Sequence, residues 1–253
     1  MTERIMQMTQ NFVASLVLGF ALVSATAAWA SGGGTLKPSN ANIADVQSLQ
    51  NGAKLYFNYC SGCHSLKFMR YSRIAEDLQL SEAQVMQNLN FTGANFGELV
   101  PGSMHADDGK AWFGAAPPDL SLMARAKGVD YIYNYLKSFY LDASRPLGWN
   151  NTVFPNASMP NVLWELQGVQ TAKFKPATGD HEAEFEHFEV HQAGSLSSKE
   201  FDEVARDIAN FLQYASEPAV FQRTSIGIWV LLFLSVFTLL AYFLKHEYWK
   251  DVH

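Results

Sequence analysis

Residues 56–65 read YFNYCSGCHS and hold both cysteines of the chain, Cys60 and Cys63, with His64 directly behind the second. A disulfide in an exported domain or a redox-active dithiol would account for the cysteines but leave His64 without a role. C-x-x-C-H is the attachment signature of a c-type haem. Two thiols one helical turn apart can each form a thioether with a vinyl group of the same porphyrin. The next residue then projects an imidazole at the iron. With both sulfurs consumed, no structural disulfide remains possible.

The chain ends indicate the compartment. Arg4, the apolar run Phe12 to Val23 and the small residues around Ala28-Trp29-Ala30 form an export signal with a cleavage site. Ile226 to Leu244 is apolar and uncharged, and as a helix it would be roughly 28 Å long, the thickness of a bilayer core. Trp229 lies within the run, and Tyr242, Tyr248 and Trp249 lie near its end, where aromatic rings favour the interface. Lys245 and Lys250 follow the run, which places the C-terminus in the cytoplasm. The expected organisation is a signal peptide at 1–30, a periplasmic haem domain at 31–222, a transmembrane helix at 223–245 and a cytoplasmic tail at 246–253. The net charge of −6 disfavours nucleic acid as a partner and suits a basic protein.

Gly52 and Tyr56 lie eight and four residues before Cys60, on one helical face. Asn51 or Ser48 is the expected cap of that helix. A second amphipathic helix opens at Ser197-Ser198-Lys199-Glu200, presents Phe201, Val204, Ala205, Ile208, Phe211, Leu212 and Ala215, and ends at Pro218. Gly52 leaves room for the two helices to cross closely. The expected fold is mainly α and resembles the class I cytochrome c domain, with one C-terminal transmembrane helix added.

His64 fills one axial position of the iron. Met159 lies in FPNASMPN, between two prolines that stiffen its loop, and is the favoured second ligand. Met104 and His105 are the alternatives. Met69 is too close to His64 in sequence, and Met86 and Met123 look like core. His181, His187 and His191 lie in an alternating stretch with Glu182, Glu184 and Glu186, which reads as a half-exposed acidic strand or hairpin and matches no familiar metal-ligand spacing.

Longer stretches add a resemblance: CSGCHSL at 60–66, MRYSR at 69–73, GAAPPDLS at 114–121 with Arg125 after it, RPLGWNN at 145–151, and VFPNASMPNVLWELQG at 153–168. Together with the C-terminal span, these resemble the cytochrome c1 family, the haem c subunit of the bacterial ubiquinol–cytochrome c reductase. The resemblance implies a class I core with large insertions, one covalent haem c, and Met159 as the sixth ligand. It implies that Arg125 pairs with a haem propionate and that Pro118 lines the pocket. It further implies a cytochrome b subunit, a Rieske iron–sulfur protein and a soluble cytochrome c as partners, and a dimeric complex. Here Met159-Pro160 is followed by Asn161-Val162-Leu163, where many family members carry a proline-rich run. No Ser/His/Asp grouping or phosphate loop suggests an enzyme site of its own.

Overall fold

The computed structural model of the chain describes residues 36–175 and 184–251. The expected signal peptide lies outside these residues, as do His181 and Glu182. Helix α1 spans Val46–Tyr59. Its cap is Asp45, whose carboxylate accepts from the Ser48 backbone N–H at 3.1 Å, so neither Ser48 nor Asn51 caps it. Aspartate caps as well as serine or asparagine and stands just ahead of the helical run. Ser48 instead donates its hydroxyl to Asp207 at 2.7 Å.

After α1 come strand β1 (Leu66–Arg70), helices α2 (Tyr71–Asp77) and α3 (Glu82–Asn88), strand β2 (Leu99–Val100) and helix α4 (Ala106–Phe113). Helices α5 (Met123–Lys127) and α6 (Val129–Lys137) lead to strands β3 (Phe139–Leu141) and β4 (Trp149–Asn151). A one-turn helix α7 (Trp164–Gln167) precedes the hairpin β5 (Gly168–Lys175) and β6 (Glu184–Ala193). Helices α8 (Ser198–Ser216) and α9 (Val220–Tyr248) complete the described chain. Helices supply the core, and the strands form antiparallel pairs at its margins.

Helix α8 opens on a capping box in which Ser197 and Glu200 satisfy each other's backbone N–H groups. It packs across α1 at Gly52. A Cβ there would overlap the Asp207 carbonyl and lie 2.7 Å from Phe211 Cβ, so only glycine permits this approach. Ser48, Asp207 and Asn210 form a buried polar lock at the crossing, with Asn210 donating to Ser48 Oγ at 2.9 Å. Tyr56 and Phe57 of α1 pack against Phe211 of α8, and each fully buried large side chain contributes about 2 kcal/mol. Helix α6 is tied to α8 by Lys137 and Asp202 at 2.5 Å. The expected mainly α architecture, with early and late helices crossing, is the one observed.

Strand β6 is exposed on both faces rather than half-exposed, because it is β5 that packs on the body, through Phe174 on Tyr140 and Gln170 on the Phe139 carbonyl. Register shifts break the simple alternation, and Phe185 and Phe188 come together with ring centroids 4.5 Å apart. Lys173 and Lys175 of β5 pair with Glu189 and Glu184. No group of three metal-binding side chains occurs among the described residues. Helix α9 is 29 residues long with a mean hydropathy of 2.4 over its most apolar window, enough to cross a membrane.

Candidate haem site

Helix α1 delivers the cysteine–histidine motif. Its end tightens into turns in which Cys63 and His64 both donate to the Cys60 carbonyl, at 3.0 and 2.8 Å. Tyr56 Oη, buried one turn back, donates to the His64 carbonyl at 2.8 Å. Ser103 donates to the Ser61 carbonyl, and a Cβ on Gly102 would lie 3.2 Å from Ser65 N, so a second loop presses directly on the motif. Cys60 is buried and Cys63 half-buried, and no disulfide joins them. Burial, reinforced by neighbouring Cys63, pushes the Cys60 thiol up to about 12, and burial also raises Cys63. The pair sits at the C-terminal end of α1, whereas reactive dithiols are activated at helix N-termini.

The segment after α4 fixes the histidine. His64 Nδ1 lies 2.7 Å from the Pro118 carbonyl oxygen. That contact makes Nδ1 the protonated nitrogen and leaves Nε2 with its lone pair for a metal. Burial lowers the His64 pKa, opposed by the Pro118 contact and the Asp119 charge. Asp119 binds the chain beyond the motif, accepting from Ser65 Oγ at 2.7 Å and from Lys67 N at 2.8 Å. Leu120 N donates to the Ser65 carbonyl at 2.9 Å. Pro118 thus meets His64 through its backbone oxygen.

Met159 is held by different partners. Tyr135 Oη on α6 lies 3.6 Å from Met159 Sδ, within reach for an O–H to sulfur hydrogen bond. The loop before Met159 is tied down by asparagines. Asn151 Oδ1 accepts from Val153 and Phe154, and its Nδ2 donates to the Tyr135 carbonyl at 2.8 Å. Asn150 Oδ1 accepts from Asn156 N at 2.8 Å. Asn156 adopts φ 63°, a left-handed geometry that asparagine tolerates. Beyond Met159, Asn161 caps the turn at Leu163 and donates to Gln167. This asparagine framework holds the loop around Met159. Of the alternatives, Met104 lies against Gly109 of α4, and His105 is the exposed N-terminal flank of that helix. Met69 is buried in the core, and Met86 and Met123 pack against it.

A cleft of ≈ 290 Å³ opens beside this loop, lined by Trp112 and Phe113 of α4, by Arg145 and Trp149, and by Ala157 and Ser158. Arg145 holds Asn156 through both terminal guanidinium nitrogens, but its buried Nε has no hydrogen-bond partner among the described residues. Arg125 on α5 is largely exposed, 4.0 Å from Glu217. A neutral histidine with a free Nε2 directly behind two cysteines suits a covalently attached haem.

The sequence matches the profile of the Cytochrome C1 family over residues 39–252. The chain belongs to the cytochrome c1 family. It is 49% identical over 236 residues to cytochrome c1 of Allochromatium vinosum, an alignment covering 92% of this chain and 97% of that protein. It is 41% identical over 210 residues to a protein of Nitrosomonas europaea named ammonia monooxygenase gamma subunit, covering 83% of this chain and 86% of that one. It is also 25% identical over 248 residues to cytochrome b/c1 of Bradyrhizobium diazoefficiens, covering 83% of this chain but 34% of that longer protein. Cytochrome c1 proteins carry one covalently bound haem c and are electron-transfer subunits of the bc1 complex rather than enzymes by themselves.

Tyr135, Arg145 and the asparagines were not singled out as site residues from the sequence. The Asn150-Asn151 doublet and Asn156 did carry a usable signal, since asparagine hydrogen-bonds its own loop. Nothing in the sequence pairs Tyr135 with Met159, 24 residues away.

Proposed function

We propose that this chain relays single electrons from a Rieske iron–sulfur protein to a soluble cytochrome c, as the haem-bearing subunit beside a cytochrome b. The observation that carries this reading is the C-x-x-C-H turn with His64 Nδ1 anchored on Pro118, in a chain of the cytochrome c1 family. Cys60 and Cys63 would hold the haem through thioethers, and His64 Nε2 and Met159 Sδ would ligate its iron. When bound, the haem supplies a one-electron couple between ferrous and ferric iron. Pro118 orients the His64 ring through its carbonyl oxygen. Arg125 pairs with a propionate, where a guanidinium suits a carboxylate well.

The topology belongs to the same proposal. Residues 1–30 are removed on export, 31–222 face the periplasm, 223–245 span the inner membrane and 246–253 remain in the cytoplasm. The complex is a dimer. The joined name cytochrome b/c1 of the Bradyrhizobium relative supports a cytochrome b partner. Asp107 and Asp108 in the first turn of α4, with the acidic β6 strand, steer a basic carrier toward the haem edge.

The test is purification of the tagged chain from gently solubilised membranes, followed by reduced-minus-oxidised spectra. Stoichiometric b-type haem and an iron–sulfur protein are expected. A c-type haem alone in the mildest detergent contradicts the complex assignment. The name of the Nitrosomonas relative favours a second reading, an anchored cytochrome serving a monooxygenase. Recovery of such an enzyme in place of cytochrome b would establish it.

A further inference from the structure

We infer that Tyr135 is a positioning residue for the Met159 thioether and, through one hydrogen bond, sets the reduction potential of the bound haem upward. The proposal rests on the reading of Met159 as an axial ligand. The phenol oxygen lies 3.6 Å from Met159 Sδ. A thioether sulfur has two lone pairs. Giving one to iron leaves the other to accept a hydrogen bond. A donor on that second lone pair withdraws electron density from sulfur, weakens its donation to ferric iron more than to ferrous iron, and favours the reduced state.

The ring has little freedom to point elsewhere. Tyr131 stacks on it at a centroid distance of 6.1 Å, and Phe139 packs edge-on at 5.1 Å. The Tyr135 carbonyl accepts from Asn151 Nδ2, and Asn151 Oδ1 in turn accepts from two backbone amides of the segment that leads into the Met159 loop. Donor and acceptor are therefore fixed by the same asparagine. A tyrosine phenol is protonated at neutral pH and is therefore a donor.

Tyr135→Phe removes only the hydroxyl. In the purified complex, potentiometric titration should show the c haem about threefold to tenfold less reduced at the wild-type midpoint, a downward shift of up to about 59 mV for one electron. The near-infrared sulfur-to-iron charge-transfer band of the ferric protein should persist but move in energy. Incorporating 3-fluorotyrosine at position 135 keeps the ring and makes the hydroxyl a stronger donor, so the midpoint should move upward. An unchanged midpoint in either variant, with the band intact and unmoved, overturns the proposal. Absence of that band from the wild-type protein instead overturns Met159 as ligand, and this separates the two failures.

Discussion

His64 Nδ1 and the Pro118 carbonyl oxygen are 2.7 Å apart, across 54 residues of sequence. A backbone acceptor cannot be lost by side-chain mutation, and it does not titrate. The orientation of the His64 imidazole therefore depends on how firmly the Pro117–Leu120 segment is held, and Asp119 holds it.

Asp119 gives that hold a pH dependence. Burial pushes its carboxyl up, but hydrogen bonds from Ser121, Ser65 and Lys67 outweigh it and leave the group below the usual range. A depressed folded pKa contributes stability that is fully present above the unfolded value, about 3.9, and is lost as pH falls through the folded value. Thermal unfolding followed by haem absorbance should show the wild-type Tm dropping below about pH 4. Asp119→Asn should start lower at pH 7 and lose less on acidification. Parallel curves for the two proteins would remove Asp119 from the account.

Tyr56→Phe should destabilise the domain by about 1–2 kcal/mol, because it leaves the buried His64 carbonyl without its donor. Chemical denaturation of the solubilised protein measures this directly. A change below about 0.5 kcal/mol would mean that another donor or a water replaces the phenol.

Gly52→Ala adds one methyl group where α1 meets α8 and should cost about 1–3 kcal/mol or more, or roughly 2–4 °C of Tm per kcal/mol. The control is Gly62→Ala, since nothing lies within 4 Å of a Cβ there. Equal Tm values for the two variants would contradict the close crossing.

Neutralising Asp107 and Asp108 together should slow electron transfer to a basic cytochrome c severalfold at low ionic strength. The difference should vanish near 1 M salt, where the screening length is about 3 Å. A rate indifferent to salt in the unsubstituted protein removes the steering role.

Much of the fold was legible because it depends on local chemistry. The Ser197/Glu200 capping box and the periodic apolar positions of α8 marked that helix at both ends. The glycine at the crossing was readable because its spacing from Cys60 puts it on the buried face of α1. The cap of α1 was placed too late because Ser48 and Asn51, both of capping type, lie inside its first two turns, and Ser48 gives its hydroxyl to a tertiary partner, Asp207. The exposure of β6 depends on what covers it and on bulges, neither of which alternation encodes. At the site, the contiguous motif was plain. The contacts from His64 to Pro118 and from Met159 to Tyr135 join distant segments, and only the packed structure brings them together.

The most direct test of the account is mass spectrometry of the denatured, protease-digested chain, read on the peptide that contains Cys60 and Cys63. The account predicts that this peptide carries the mass of one haem bound through both sulfurs, with neither thiol open to alkylation. Two alkylated cysteines and no added haem in protein matured in its own membrane would contradict it.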